Sequence, residues 1–302
     1  MATFSKSNFS HTSYAAFRPT YPPSLYNTIL EYHQGPTNRL VDLGCGHGVV
    51  SRGFAPTFQQ VIGTDPSAGM LSLAESLTPV PEYSNVVFRA ATAERLDKIH
   101  VEDGSVDMVT AAQAAHWFDY PAVWAELGRV LRPGGTLAFW GYKDHALVDH
   151  PRATDVMVRY NVGEPVDETH RPEDMLGIYW SQPGRDMVQA KLGNVEPAAE
   201  WFTDVQRVEY EPGTKGPNSG EGTKFLSRRL QIGQVKDYMR TWSAYHGWKE
   251  AHPGVKKRGD GGEGDVVDKM FDEMMEVEPD WAGEEQEIEV EWGTGILLAR
   301  RK

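Results

Sequence analysis

Cysteine is almost absent. Cys45 is the one thiol in 302 residues, which excludes an internal disulfide framework and a cysteine-built metal site. Long apolar runs are missing too, and no stretch reaches the length needed to span a bilayer. The first residues, Met1-Ala2-Thr3-Phe4-Ser5-Lys6-Ser7-Asn8, lack the apolar stretch of a secretory signal. These absences predict a cytoplasmic chain with no membrane partner. Excess positive charge is also lacking. The net charge is −13, and the segment between Asp260 and Glu291, with fourteen Asp or Glu against Lys269, accounts for all of it. Nucleic acids bind through counterion release at a basic surface. A run such as Lys256-Lys257-Arg258 is too short to supply one, so nucleic acid is not an expected partner.

Hydrophobic residues make up 40% of the chain, enough for a sizeable core. Strand-like segments at Arg39–Leu43, Gln60–Asp65, Val86–Ala90, Val106–Ala111 and Thr136–Tyr142 alternate with helix-like ones. The latter are Val49–Ala55, Ala68–Leu77, Ala122–Leu131 and a weaker stretch at Ala93–Ile99. This alternation predicts an α/β fold with a doubly wound, mostly parallel sheet. After Tyr142 the pattern becomes irregular. Residues 143–195 read as an insertion, Phe202–Tyr210 as a strand, and Gln234–Trp248 and Val266–Val277 as helices. Glu287–Trp292 and Gly295–Ala299 read as two further strand segments. The acids of 260–291 are expected on a solvated helix face and on an edge strand that they keep soluble.

The most informative stretch is Leu40-Val41-Asp42-Leu43-Gly44-Cys45-Gly46-His47-Gly48, an apolar strand that runs into a glycine turn. Glycine tolerates positive φ and lets backbone approach a ligand closely. A helix N-terminus follows. A second apolar run, Val61-Ile62-Gly63-Thr64-Asp65, ends on an acid at the distance a βαβ unit uses to reach ribose hydroxyls. An adenosine-containing ligand is expected there. Each residue also has a plainer reading. Asp65 could cap a helix near Ser67, Cys45 could be a small filler, Met70 could be core, and His116 could pack on Trp117 and Phe118.

The order Asp42-Leu-Gly-Cys-Gly-His-Gly, Gly63-Thr-Asp65-Pro-Ser and Val130-Leu-Arg-Pro-Gly-Gly resembles class I S-adenosylmethionine-dependent methyltransferases. Tyr14-Ala-Ala-Phe-Arg18-Pro-Thr-Tyr21-Pro, Ala112-Gln-Ala-Ala-His-Trp-Phe-Asp119 and Thr241-Trp-Ser-Ala-Tyr-His are similar to the fungal branch that includes trans-aconitate methyltransferase. The resemblance implies one methyltransferase domain over 1–302. Within it, 1–37 would form an N-terminal lid, 38–142 the cofactor-binding half, and 143–302 the substrate insertions and C-terminal strands. It also implies a seven-stranded, Rossmann-like sheet with an antiparallel last strand, matched by the segments around Gly293-Thr294-Gly295.

Carried over residue by residue, the resemblance puts Asp42, Gly44, Cys45 and Gly46 under the methionine and ribose of S-adenosyl-L-methionine. Asp65 would accept from both ribose hydroxyls. Pro66 and Met70 would flank the adenine, with Thr92, Ala93 and Glu94 in the loop beside it. Gln113 and Ala114 would line the sulfonium end, and Tyr14 and Arg18 would close over the cofactor. Tyr21, His116, Trp140 and His145 are the candidates for contact with a small-molecule acceptor, a carboxylate or a fungal secondary metabolite. His116 is the candidate catalytic residue. Two other readings stay open at this point. One is a non-catalytic module that binds the same cofactor. The other is an NAD-dependent oxidoreductase, although the glycine spacing departs from the dinucleotide pattern and no Tyr-Lys or Asp-His pair stands out to carry hydride chemistry.

Overall fold

In a computed structural model that describes residues 17–164 and 171–302, the apolar runs of the first half become five parallel strands. They are β1 (Arg39–Leu43), β2 (Gln60–Asp65), β3 (Val86–Ala90), β4 (Val106–Ala112) and β5 (Leu131–Leu147). β1, β2 and β4 are short and largely apolar on both faces, as a sheet covered on two sides requires, whereas β3 at the edge exposes Arg89 and Ala90 and β5 runs to 17 residues. Three more strands of the second half complete the main path. They are β6 (Phe202–Glu211), β7 (Glu221–Gly222) and β9 (Glu287–Arg301), in the spatial order β3-β2-β1-β4-β5-β9-β6-β7, with β8 (Ser227–Gln231) paired to β9. The sheet has nine strands where seven were expected, the additions being the short β7 and β8. β9 is antiparallel to β5, β6 and β8.

Alternation along each strand sends side chains into two cores. Leu40, Met108, Ala138 and Trp140 face α1 (Pro23–Tyr32) and α2 (Val49–Phe54), which supply Leu25, Ile29, Val50 and Phe54. Val41, Val109, Leu137 and Phe139 face α4 (Tyr120–Val130) through Val123 and Leu127. Two of the connecting helices start on defined caps. Gly48, at φ +81°, precedes α2. The Ser67 hydroxyl accepts from the Met70 amide and caps α3 (Ala68–Ser76). Ser67, not Asp65, is therefore the helix cap. The stretch at Ala93–Ile99 forms only a 3-10 turn over Leu96–Ile99.

The second half departs further from expectation. β5 does not end at Tyr142 but continues against β9 to Leu147, and α5 (Pro151–Val162) and α6 (Gly184–Gln189) follow it. The expected helix over Gln234–Trp248 is two helices, α7 (Ile232–Met239) and α8 (Ser243–Ala251). They part where Thr241 folds back, its amide and hydroxyl both donating to the Tyr238 carbonyl. The two C-terminal strand segments are one, because β9 passes unbroken through Gly293-Thr294-Gly295.

The acidic segment is a further correction. β9 is no edge strand, since β5 and β8 flank its Glu287–Glu291 end. Glu291 is fully buried, 2.8 Å from Lys224 Nζ, and accepts from the Tyr210 hydroxyl. Asp265, the N-cap of α9 (Val266–Val277), and Asp268 in its first turn are buried as well. Arg240 Nε lies 2.8 Å from Asp265, and Lys236 Nζ lies 2.7 Å from Asp268. Of the alternating glutamates Glu287 is exposed as expected, and Glu291 is the buried one; its cation, Lys224, lies 67 positions away in sequence.

Candidate active site

The order of the sheet reverses between β1 and β4, and open α/β sheets bind ligands in the crevice that this reversal leaves at the carboxyl ends of the strands. A cleft of about 510 Å³ lies there. Its floor is the turn after β1. Gly44 and Gly46 have φ of +59° and +54°. A Cβ on Gly44 would stand 2.5 Å from that of Ala114, whereas one on Gly46 would meet no atom within 4 Å. The first glycine thus lets β1 and β4 close together, and the second presents bare backbone to the cleft.

Beneath this turn, Asp42 is buried and accepts from the Ser51 hydroxyl at 2.7 Å and the Thr110 hydroxyl at 3.0 Å. Burial raises its pKa to about 7 against the lowering effect of those hydroxyls. Asp65 ends β2 with its carboxylate at the lip, accepting from the Gly46 amide at 3.0 Å and the Ser67 amide at 2.8 Å. The half-buried Cys45 thiol is held protonated by desolvation and by the nearby Asp42 and Asp65. His47 is kept uncharged by burial and by Arg52, its pKa lowered to about 4.

The same cleft is lined by Pro66, Met70, Thr92, Ala93, Glu94, Gln113, Ala114, Arg18 and Tyr21. Met70 is both a buried core residue and a wall of the cleft. Glu94 also accepts from the Asp119 amide at the start of α4. Gln113, at φ +50°, clamps β5: its side-chain oxygen accepts from the Tyr142 amide at 2.7 Å and its nitrogen donates to the Tyr142 carbonyl at 3.0 Å. Arg18 donates to the Tyr142 hydroxyl at 3.3 Å and to the Thr241 carbonyl at 3.0 Å, so the break between α7 and α8 supplies one of its acceptors. Tyr14 lies outside the described residues.

A small chamber of about 60 Å³ adjoins the cleft, sharing Arg18, Gln113, Trp117, Tyr142 and Ser181 with it. His116 stands in the chamber wall, its ring 4.9 Å from that of Trp117. Burial and the neighbouring Arg18 lower its pKa to about 3, so the imidazole is neutral. Trp180, Tyr238, Trp242 and Arg185 complete much of the wall. Nothing in Ser181-Gln182-Pro183-Gly184-Arg185 marked Arg185 in the sequence.

Two candidates lie elsewhere. Trp140 is buried in the core, edge-on to Tyr21 at 5.5 Å, and is part of neither lining. His145 is also buried, 5.5–6.0 Å from the rings of Tyr238, Trp242 and Trp292. His145 departs because β5 pairs with β9 beyond Tyr142, whereas Trp140 lies within the expected strand on its core-facing side. Among the described residues no helix is long and apolar enough to cross a membrane, and no group of three or more His, Cys, Asp or Glu could hold a metal ion.

A sequence profile of the methyltransferase domain matches residues 41–139. The whole chain is 31% identical to CRG1 of Saccharomyces cerevisiae, a protein assigned as an S-adenosylmethionine-dependent methyltransferase. That match covers 98% of this chain and 97% of the yeast protein. This chain belongs to the class I S-adenosylmethionine-dependent methyltransferases. A Dictyostelium discoideum protein assigned as a methyltransferase is 27% identical to the enzyme, over 96% of this chain and 92% of that one. A solved structure from Anaeromyxobacter dehalogenans, assigned as a type II methyltransferase, shares the fold with a TM-score of 0.66. It is 24% identical and covers 94% of this chain and 98% of its own.

The methyltransferase therefore uses S-adenosylmethionine, and the oxidoreductase and non-catalytic readings fall away. The cleft suits that cofactor. Bare backbone at Gly46 and a carboxylate at the end of β2 offer what a ribose needs, a close approach and an acceptor for hydroxyl donors.

Proposed function

We propose that this methyltransferase esterifies a carboxylate of a small-molecule acceptor, whose reacting group sits in the chamber beside the cofactor cleft. The observation that carries this reading is the charge of the chamber wall. Arg18, Lys143 and Arg185 stand in it with Asp144, the one acid among the described residues there. Arg185 is paired with Asp144 and Lys143 with Glu211 outside the wall, so Arg18 is the cation that the reading assigns to the acceptor. An ionised carboxylate already presents a nucleophilic oxygen, so it needs no base. It needs cations and donors that hold it in line. When bound, the cofactor supplies a methyl group on a sulfonium.

In this reading Asp65 accepts from the ribose hydroxyls, and Asp42, Gly44, Cys45 and Gly46 underlie the methionine and ribose. Pro66, Met70, Thr92, Ala93 and Glu94 surround the adenine, and Gln113 and Ala114 border the sulfonium. Arg18 and Tyr21, from the segment just ahead of α1, close over the cofactor half of 38–142, while α1 itself belongs to the core. The acceptor half is 143–302. The neutral His116 is the catalytic residue, donating its ring N–H to the acceptor carboxylate. The enzyme is read as cytoplasmic, without nucleic-acid or membrane partners.

A second reading, methylation of a hydroxyl, is favoured by the neutrality of His116, because an uncharged imidazole can also take a proton. Tritiated S-adenosylmethionine separates the two. The resemblance makes trans-aconitate the first acceptor to try, then other small polycarboxylates. Label released as volatile methanol by mild alkali is the ester expected here. Label that survives alkali on the accepted compound would overturn the carboxylate reading.

A further inference from the structure

β4 leaves the sheet just where the cleft begins. Its last rung pairs Ala112 with Trp140 of β5, and the Gln113 amide still donates to the Trp140 carbonyl at 2.8 Å. The left-handed φ of +50° at Gln113 then turns the main chain away, into the segment that carries His116. On its other side β5 stays paired with β9, with Tyr142 opposite Thr294. On the side that β4 has left, the N–H and C=O of Tyr142 need partners, because buried main-chain groups are costly to leave unpaired. The Gln113 carboxamide supplies both, at 2.7 and 3.0 Å. A side chain takes the place of the missing rung.

Room for that carboxamide is made at Gly141. A Cβ there would stand 3.0 Å from Gln113 Oε1 and 4.0 Å from its Cδ, and apart from its chain neighbours it would meet no other atom within 4 Å. The residue so held is central to the site. Tyr142 is buried, lines both the cleft and the chamber, and its hydroxyl accepts from Arg18 at 3.3 Å. Gln113 lines the same two spaces, but both polar atoms of its side chain are engaged by the Tyr142 main chain.

We infer that Gln113 is a positioning residue. It acts through Tyr142, whose side chain it fixes in the wall common to cleft and chamber, rather than through a polar contact of its own with the cofactor. This rests on the placement of the cofactor in the cleft, and it is tested by binding, without an acceptor. S-adenosylhomocysteine is titrated calorimetrically into each variant at a temperature where that variant is folded.

Gln113→Ala removes the clamp and should weaken binding about tenfold. Gly141→Ala should weaken it about threefold, although Gly141 lines neither the cleft nor the chamber, because the added methyl meets the Gln113 carboxamide. Combined with Gln113→Ala, which takes that carboxamide away, Gly141→Ala should add nothing. Tyr142→Leu keeps an apolar body at the buried position, and in its presence Gln113→Ala should cost less than about twofold. A residue that only stabilised β5 would lower the unfolding midpoint without this coupling.

A Gln113→Ala loss that persists in full beside Tyr142→Leu would make Gln113 a direct contact of the cofactor and overturn the inference. So would wild-type affinity in Gly141→Ala when Asp65→Ala, run alongside, binds weakly. Unchanged affinity in Asp65→Ala would overturn the placement of the cofactor, and the inference with it.

Discussion

The two halves of this enzyme are built on different principles. From β1 to the middle of β5, most residues of the cleft sit at or just past the end of a strand in a parallel sheet, with Met70 on the helix after β2 as an exception. The glycine turn, Asp65 and Gln113 are placed by local backbone: positive φ at Gly44, Gly46 and Gln113, and amides from one loop turned onto the carboxylate at the end of the next strand. From His145 onward, the wall of the chamber is assembled from residues far apart in sequence. Arg185 comes from α6, Tyr238 from α7, and Trp242 from the break before α8. Buried charges hold this half together: Lys236 with Asp268, Arg240 with Asp265, and Lys224 with Glu291. The first half can be damaged one motif at a time. The second stands or falls as a network.

The largest effect should come from that network. Lys236→Met leaves Asp268 buried with Arg240 as its remaining cationic contact and should cost about 3–5 kcal/mol of stability by denaturant unfolding. At temperatures where the variant is folded, its cofactor affinity should match the wild type. A matching loss of cofactor affinity in the folded variant would erase the contrast between the halves. The complementary change is Asp65→Ala. It should weaken S-adenosylmethionine binding by about 2 kcal/mol, roughly thirtyfold, and the Gly46 and Ser67 amides that lose their acceptor should lower unfolding stability by about 1–3 kcal/mol, less than the network variant. Unchanged affinity in calorimetry would remove the cofactor from its proposed place.

Smaller effects sharpen the boundary, where the halves meet at Arg18 and His116. His116→Ala should lower kcat/KM for a carboxylate acceptor about tenfold with cofactor affinity intact, the loss of one hydrogen bond to a charged group. A hydroxyl acceptor would lose closer to a hundredfold, the usual worth of a general base. Because burial and Arg18 hold the His116 pKa near 3, the imidazole is already deprotonated above that pH, and the rate profile between pH 5.5 and 8.5 should show no limb near 6.5 from this group.

The smallest effect expected is a pH dependence in cofactor binding. Burial raises the Asp42 carboxyl to about 7, so it is protonated below that pH and charged above it. Affinity for the cationic S-adenosylmethionine should therefore rise a few-fold as pH climbs through 7. S-adenosylhomocysteine, which lacks the sulfonium charge, should show less of this rise, and Asp42→Asn should flatten it for both ligands.

The cofactor half was legible in the sequence because its information is local. A strand of four or five apolar residues, a glycine turn and an acid at the next strand end are consecutive or nearly so, and a parallel βαβ unit has little freedom in how it joins them. β1, β2, β3 and α9 have the bounds read from the sequence, and the residues expected around the cofactor, Tyr14 apart, share one cleft. The acceptor half was not legible, for equally physical reasons. Glu287-Ile-Glu-Val-Glu alternates as an exposed edge would, and only the arrival of β8 on one side and Lys224 above it makes Glu291 a core residue. His145 looked reachable because β5 was expected to stop at Tyr142.

What the sequence determined by itself was the glycine turn, the acid at the end of the next strand and the parallel strands that carry them, because short-range backbone geometry decides these; the resemblance, and then the relatives, named the cofactor. What the tertiary structure decided was the chamber beside the cleft: which cations line it and which aromatics enclose it. Those are contacts between residues scores of positions apart, and no local pattern encodes the energy of a pair until folding has brought it together and removed the water between its members.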